Sequence, residues 1–403
     1  MRILQIANKF PYPPKDGGSR ATFNLTKGFS ELNQEVTVLA MNTSKHFNDT
    51  RNLPENLKKT VRFIPFKINT NISYIKAFIN FLFSNLPYNL IRFKSKKFSD
   101  VIRKILEKQY FDIIQLEGLA LAFYVPVIRM YSGAKIVMRA HNVEFKIWEG
   151  IVNQFKPGVK KFFAKIIYRR LRNFELKSLN QYDAIIPITP NDLEMFKNLG
   201  TEKPMFCAPF GMDLTNLEKK PNNQTFPSLF FLGALDWIPN QEGLIWFLNK
   251  VWMDLKRNHP KLEFYVGGRN APSWLVKKIN QKQIVFAGEV KNAYLFMNDK
   301  TIMVVPLFSG SGIRVKIIEG MALGKVIIST SAGIEGIPAT HEKNIIFADN
   351  SQEFISQIKR LIRDNKLRSR ISTEAQKLIQ EKFDNLAITS SILTFYKSLL
   401  DDQ

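Results

Sequence analysis

A chain of 403 residues exceeds one ordinary hydrophobic core, so two domains are expected, and 45% apolar with 12% aromatic content excludes a disordered chain. The single cysteine, Cys207, excludes an internal disulfide and suits a reducing compartment, and four histidines without metal-ligand spacing argue against a zinc site. The net charge of +23 is uneven: residues 1–210 hold 33 Lys and Arg against 16 Asp and Glu, and the rest hold 25 against 19. The N-terminal half therefore expects an anionic partner.

The opening decapeptide, MRILQIANKF, reads directly as a first strand and not as a secretory leader. No window of about 18 uninterrupted apolar residues occurs, so no bilayer-crossing helix is expected. β-branched apolar runs then alternate with helical patterns, which predicts parallel sheets covered by helices. In the first half the predicted strands are 2–7, 35–41, 61–66, 112–116, 135–139 and 184–189. Between the first two lies the loop FPYPPKDGGSR, where Gly17 and Gly18 allow a ligand close to the backbone at a strand's carboxyl end.

Two stretches interleave aromatic and basic residues. One runs from Tyr74 to Phe98. The other, 160–177, read as a helix, gathers Phe162, Phe163, Ile166, Ile167, Leu171 and Phe174 on one side and Lys161, Lys165, Arg169 and Arg172 opposite, while Lys160, Arg170 and Lys177 break the pattern. This fits a peripheral contact with an anionic membrane surface, and equally a core-facing helix with a solvated basic back. No nucleic-acid-binding module accompanies the charge, so nucleic acid is not expected.

Past the strand 135–139, Arg139, His141, Asn142 and Glu144 cluster, and Glu117 follows another strand. His141 is the candidate catalytic group, able to orient a hydroxyl or donate to a developing charge. Arg139, Asn142 and Glu117 are acceptor-side candidates. A linker at 210–221 contains Gly211 as a hinge candidate, and a second set of strands follows at 228–232, 262–266, 284–287, 302–306, 325–329 and 344–347. The expected fold is α/β, with two doubly wound parallel-sheet (Rossmann-like) domains at 1–209 and 222–386.

The stretch VVPLFSGSGIRVKIIEGMALG (304–324) joins a strand, a glycine-rich turn (Gly310, Ser311, Gly312) and a helix. Backbone N–H groups and the positive end of a helix dipole converge in such a turn, which makes it an anion site. Arg314 and Lys316, two cations in the first helical turn, are unfavourable there unless an anion lies beside them. Glu319 can accept hydrogen bonds from sugar hydroxyls. The reading is a nucleotide-diphosphate site.

With LFFLGALDWIPNQEG (229–243), FYVGGRN (264–270), FAGEV (286–290) and STSAGIEGI (329–337), this stretch resembles the GT-B glycosyltransferases, close to glycosyltransferase family 4. The resemblance implies transfer of a sugar from a nucleotide-diphospho-sugar to an acceptor hydroxyl, with retention and without metal or other cofactor. It places the donor in a cleft between the domains, mostly on the C-terminal one, and a sugar or lipid-linked acceptor on the N-terminal one. By position it assigns Gly17 and Gly18 to the donor phosphates, His141 to the transferred sugar, Glu319 to the ribose and the helix from Ala387 to the N-terminal domain. Gly310–Ile313 and Asn240 complete the expected donor-binding set.

Two departures stand out. The earlier glutamate of a pair common in the family is Ser311 here. The Arg and Lys that usually follow the first C-terminal-domain strand fall near the uncharged Ala234 and Asn240, leaving Arg314 and Lys316 to neutralise the diphosphate. Two other readings share these residues: a nucleotide-sugar 2-epimerase-type enzyme and a non-catalytic binding or scaffold protein. The expected location is cytoplasmic, peripheral on the inner face of the cytoplasmic membrane.

Overall fold

The computed structural model describes residues 1–14, 16–44, 47–48, 50–215, 226–309 and 313–401. The chain divides into two compact units, Met1–Gly211 with Asn385–Gln403, and Met212–Asp384. All twelve apolar runs form strands. In the first unit these are β1 (Arg2–Ala7), β2 (Glu35–Thr43), β3 (Val61–Ile68), β4 (Ile113–Glu117), β5 (Lys135–Ala140) and β6 (Ala184–Pro187). The second holds β7 (Leu229–Leu232), β8 (Phe264–Gly267), β9 (Val285–Gly288), β10 (Ile302–Val305), β11 (Val326–Ser329) and β12 (Ile346–Phe347).

Both sheets are parallel and share one topology, β3-β2-β1-β4-β5-β6 and β12-β11-β10-β7-β8-β9. In each, the strand order reverses beside the unit's first strand, between β1 and β4 and between β7 and β10. The crevice at the carboxyl ends of such a pair is where open α/β sheets bind ligands.

Among the covering helices are α1 (Gly17–Glu31), α2 (Tyr74–Phe83), α3 (Glu144–Gln154), α4 (Val159–Leu179), α5 (Ile238–Phe247), α6 (Val315–Ala322) and α7 (Asn385–Asp401). The first sheet is buried on both faces. Ile114, Leu116, Ile136 and Met138 point into one core, and Ile113, Val137, Ala184 and Ile186 into the other, beneath α1 and α7.

Helix α7 rests on α1 through a glycine. A Cβ on Gly28 would lie 2.2 Å from Thr389 Oγ1, so only hydrogen permits that approach. Gly211, expected as a hinge, is likewise a point of close approach: a Cβ there would meet Asn385 Oδ1 at 2.4 Å, while Asn24 donates to its carbonyl at 2.7 Å.

Helix α4 follows the core-facing alternative in its latter half, where Leu171, Glu175, Ser178 and Leu179 are buried, while its first turns leave Phe162 and Phe163 exposed. Overpacking the α1–α7 contact gives a direct check: Gly28→Ala should cost about 1–3 kcal/mol in urea melts. Gly133→Ala, with open space around its Cβ, should leave the midpoint unchanged.

Candidate active site

Two polar residues interrupt otherwise apolar strands at the centre of the first sheet, Gln5 in RILQIA and Gln115 in IIQLE, and they are register partners. Both face the side covered by α1 and α7. Burying two amides requires partners for each, and these form a connected network ending on one carboxylate. Thr26 of α1 donates to Gln5 Oε1 at 2.7 Å, and Tyr396 of α7 donates its hydroxyl to Gln115 Oε1. Gln115 Nε2 and, at 3.5 Å, Gln5 Nε2 donate to Glu117 Oε1. The other carboxylate oxygen accepts from Thr22 at 3.1 Å and lies 2.7 Å from His141 Nε2.

Glu117 ends β4 and is only 2% exposed. Burial pushes its carboxyl up, but His141, Arg139 and Gln115 together outweigh burial and hold it below the ordinary carboxylate value. The carboxylate fixes which imidazole nitrogen faces it, leaving Nδ1 as the nitrogen available to a ligand. His141 follows β5 directly and is half-buried. With Asn8, Lys9, Gly18, Thr22, Glu117 and Glu144 it lines a pocket of about 160 Å³ at the strand-order reversal between β1 and β4.

The floor behind the pocket is also built. Glu175 of α4 accepts the N–H groups of Glu144 at 3.1 Å and Phe145 at 3.0 Å, capping the first turn of α3 from another helix. Burial pushes the Glu175 carboxyl up to about 8 and raises that of Glu144. At the mouth, Asp16 caps α1 by accepting from Ser19 N at 2.9 Å, and Lys9 holds it at 2.5 Å. Burial pushes the Asp16 carboxyl up, but Lys9 and Ser19 carry it down to about 2. Gly17 and Gly18 are exposed in the turn that this carboxylate already occupies.

Of the acceptor-side candidates, Glu117 lines the pocket with both oxygens already engaged, by Gln5, Gln115, Thr22 and His141. Arg139 lies inside β5 and not past its end, wholly buried, with none of its guanidinium nitrogens hydrogen-bonded among the described residues. Strand alternation turns it under α1 and α7, where its charge acts on Glu117 and Tyr396. Asn142 is half-buried in the bend before α3.

The second unit presents a separate set of groups. Of the predicted glycine-rich turn, Gly310, Ser311 and Gly312 lie outside the described residues. Ile313 is half-buried, Arg314 is the N-cap of α6, and Lys316 is in its first turn. Lys316 Nζ donates to Asn240 Oδ1 at 3.1 Å, while Asn240 Nδ2 donates to the Ala234 carbonyl at 2.8 Å. The ammonium lies 4.8 Å from the Phe231 ring centroid, and a Cβ on Gly233 would approach it to 3.0 Å. Lys316 of α6 thus lies in space beside Asn240 and the Ala234 carbonyl.

Burial, reinforced by Arg314, pushes the Lys316 ammonium down to about 7. Arg314, 6% exposed, sits 5.4 Å over the Trp237 ring. Glu319, also buried, accepts from the Tyr294 hydroxyl at 3.2 Å.

Gln115 and Gln5 were legible as polar interruptions of apolar strands. Thr22, Tyr396, Glu175, Trp237 and Tyr294 carried no local signal, because each reaches its partner only through folding. The charge balance in the first unit is open to a thermal double-mutant cycle. Glu117→Gln leaves Arg139 an uncompensated buried cation and should cost about 3 kcal/mol. Adding Arg139→Met should recover about 1 kcal/mol, and strict additivity would show that the two charges do not interact.

Comparison with known proteins supports a family. Residues 15–216 match the family described as Glycosyltransferase Family 4, and residues 226–364 match Glycosyl transferases group 1. An "Uncharacterized 44.6 kDa protein in cps region" of Klebsiella pneumoniae is 21% identical over 97% of this chain and 98% of its own length. Sucrose-phosphate synthase from Thermosynechococcus elongatus superposes with a TM-score of 0.73 at 15% identity, covering all of both chains. Anabaena HepE in complex with UDP gives 0.69 at 15% identity, over 99% of this chain and all of that one. The two like-wound sheets are those of a GT-B fold, and the chain belongs to glycosyltransferase family 4, as a nucleotide-sugar-dependent enzyme.

Proposed function

We propose that this glycosyltransferase moves a sugar from a uridine-diphosphate donor to the hydroxyl of a lipid-linked acceptor during synthesis of a surface polysaccharide or glycolipid, with retention and without a metal. The observation that carries the donor side is the Lys316 ammonium, set beside Gly233 and Asn240 at the carboxyl end of the second sheet's reversal point. A leaving diphosphate develops charge as the sugar–oxygen bond breaks, and a cation already in place stabilises that charge without reorganisation. Arg314 supplies the second positive group, and Glu319 serves the ribose.

In the first unit the His141–Glu117 pair acts on the transferred sugar, with the carboxylate holding the imidazole in one orientation. HepE structures contain UDP and UDP-glucose, which supports the choice of nucleotide. The Klebsiella relative of the cps region supports the polysaccharide assignment. The basic, aromatic character of the N-terminal half supports a lipid-linked acceptor and a peripheral position at the cytoplasmic face.

Lys316 makes the donor site testable by proton counting. Because its folded value is near 7, a diphosphate that recharges it must draw a proton from solvent above that pH. Calorimetry with UDP at pH 8, in buffers of different ionisation enthalpy, should register uptake of up to about one proton. Affinity should fall by up to about tenfold per pH unit above 7. Lys316→Met should abolish the uptake and weaken UDP binding, and unchanged UDP affinity in that variant would remove Lys316 from the site.

His141→Ala should lower turnover by about 10²–10³-fold while leaving UDP affinity unchanged. Product analysis with donor alone separates transfer from epimerisation: an epimer formed without acceptor would overturn the transferase reading.

A further inference from the structure

Helix α2 is built inside out. Ser73, its N-cap, and Ala77, Asn80, Phe81 and Ser84 are the positions turned toward the protein, at spacings of one helical turn. Tyr74, Ile75, Phe78, Ile79, Leu82 and Phe83 face solvent, Tyr74 at 86% and Phe83 at 82% exposure. A helix placed by its own hydrophobicity would turn the other way, so this face is held outward by specific contacts. Tyr88 grips the start, accepting from Ser73 N at 3.0 Å and donating to its carbonyl at 3.1 Å. Arg170 of α4 grips the end, donating to the carbonyls of Asn80 at 3.2 Å and Phe81 at 2.8 Å. The apolar surface continues onto α4, where Phe163 lies 4.8 Å from Phe81 and 5.9 Å from Phe162.

The charges around this face decide its occupant. Residues 61–99 contain seven Lys and Arg and no acid, and residues 150–174 contain another seven and no acid. Lys76, Lys156, Lys160 and Lys165 are exposed. A second copy would set like charges together. Stacking on nucleic-acid bases does not explain outward Ile75, Ile79 and Leu82. An apolar face rimmed by cations matches a layer whose interior is hydrocarbon and whose headgroups are anionic.

We infer that the outward face of α2, with Phe162 and Phe163 of α4, inserts into an anionic lipid surface and anchors the protein there. This deepens the lipid-linked reading of the acceptor by naming the element that meets the bilayer. The anchor lies in the first unit and the cations of α6 in the second, so the two assignments are tested separately.

The test uses the full chain with vesicles of phosphatidylcholine alone or mixed with phosphatidylglycerol. The wild type should sediment with the mixed vesicles only, and less as salt rises. Ile75→Ser/Phe78→Ser/Leu82→Ser should weaken that partitioning by about tenfold or more while melting temperature and UDP binding stay unchanged. Lys160→Glu/Lys161→Glu/Lys165→Glu should remove the preference for anionic lipid. Unchanged vesicle binding by the serine variant would overturn the anchor. So would a wild-type dimer in sedimentation velocity that the serine variant dissolves without any vesicle binding. Loss of UDP binding with vesicle binding intact would instead strike the donor assignment alone.

Discussion

A buried carboxylate governs the first unit. Glu117 sits at the end of a central strand with two glutamines, a threonine and a histidine directed at it. Removing a carboxylate from water is costly, and the cost is offset only when every lone pair is met and a positive charge lies near. Those requirements explain why Gln5 and Gln115 interrupt apolar strands and why Thr22 and Thr26 are one turn apart on α1. They also give the C-terminal helix a reason to place Tyr396 against Gln115. The reactive-looking histidine is the outermost member of this network, so its orientation is inherited from the whole interior.

The second unit handles charge in the opposite way. Here two cations, Arg314 and Lys316, sit where a helix N-terminus is already positive. Lys316 is held by an amide and an aromatic ring, neither of which cancels its charge, and its proton is correspondingly loose. Under the proposed function, an arriving diphosphate is what offsets the cost of that buried charge. One unit thus meets a buried carboxylate with internal donors, while the other holds a buried ammonium against an amide and an aromatic ring.

Helix α2 shows a third use of the same accounting. Its apolar side chains remain in water because hydrogen bonds from Tyr88 and Arg170 fix its rotation. Arg170 also explains why the basic pattern of α4 is imperfect: a residue that breaks the amphipathic stripe is occupied in clamping another helix.

The α/β class, the twelve strands and the doubly wound order of elements were all legible in the chain, because parallel strands buried on both faces must be continuous apolar runs. Strand ends differ by a residue or two, and one such difference mattered. β5 runs on to Ala140, so Arg139, the last residue of the predicted strand and grouped with the polar residues after it, belongs to the pleat and points inward. The positions of His141, just past a strand, and Lys316, in the first turn of a helix, were legible locally. Their partners were not. Glu117 lies 24 residues from His141, and Asn240 lies 76 from Lys316, distances bridged by sheet register and by the packing of α6. Local periodicity determines which segments become strands and helices. Which buried charge meets which partner, and which face of α2 is turned to solvent, is decided only when non-local hydrogen bonds compete with hydrophobic burial in the folded chain.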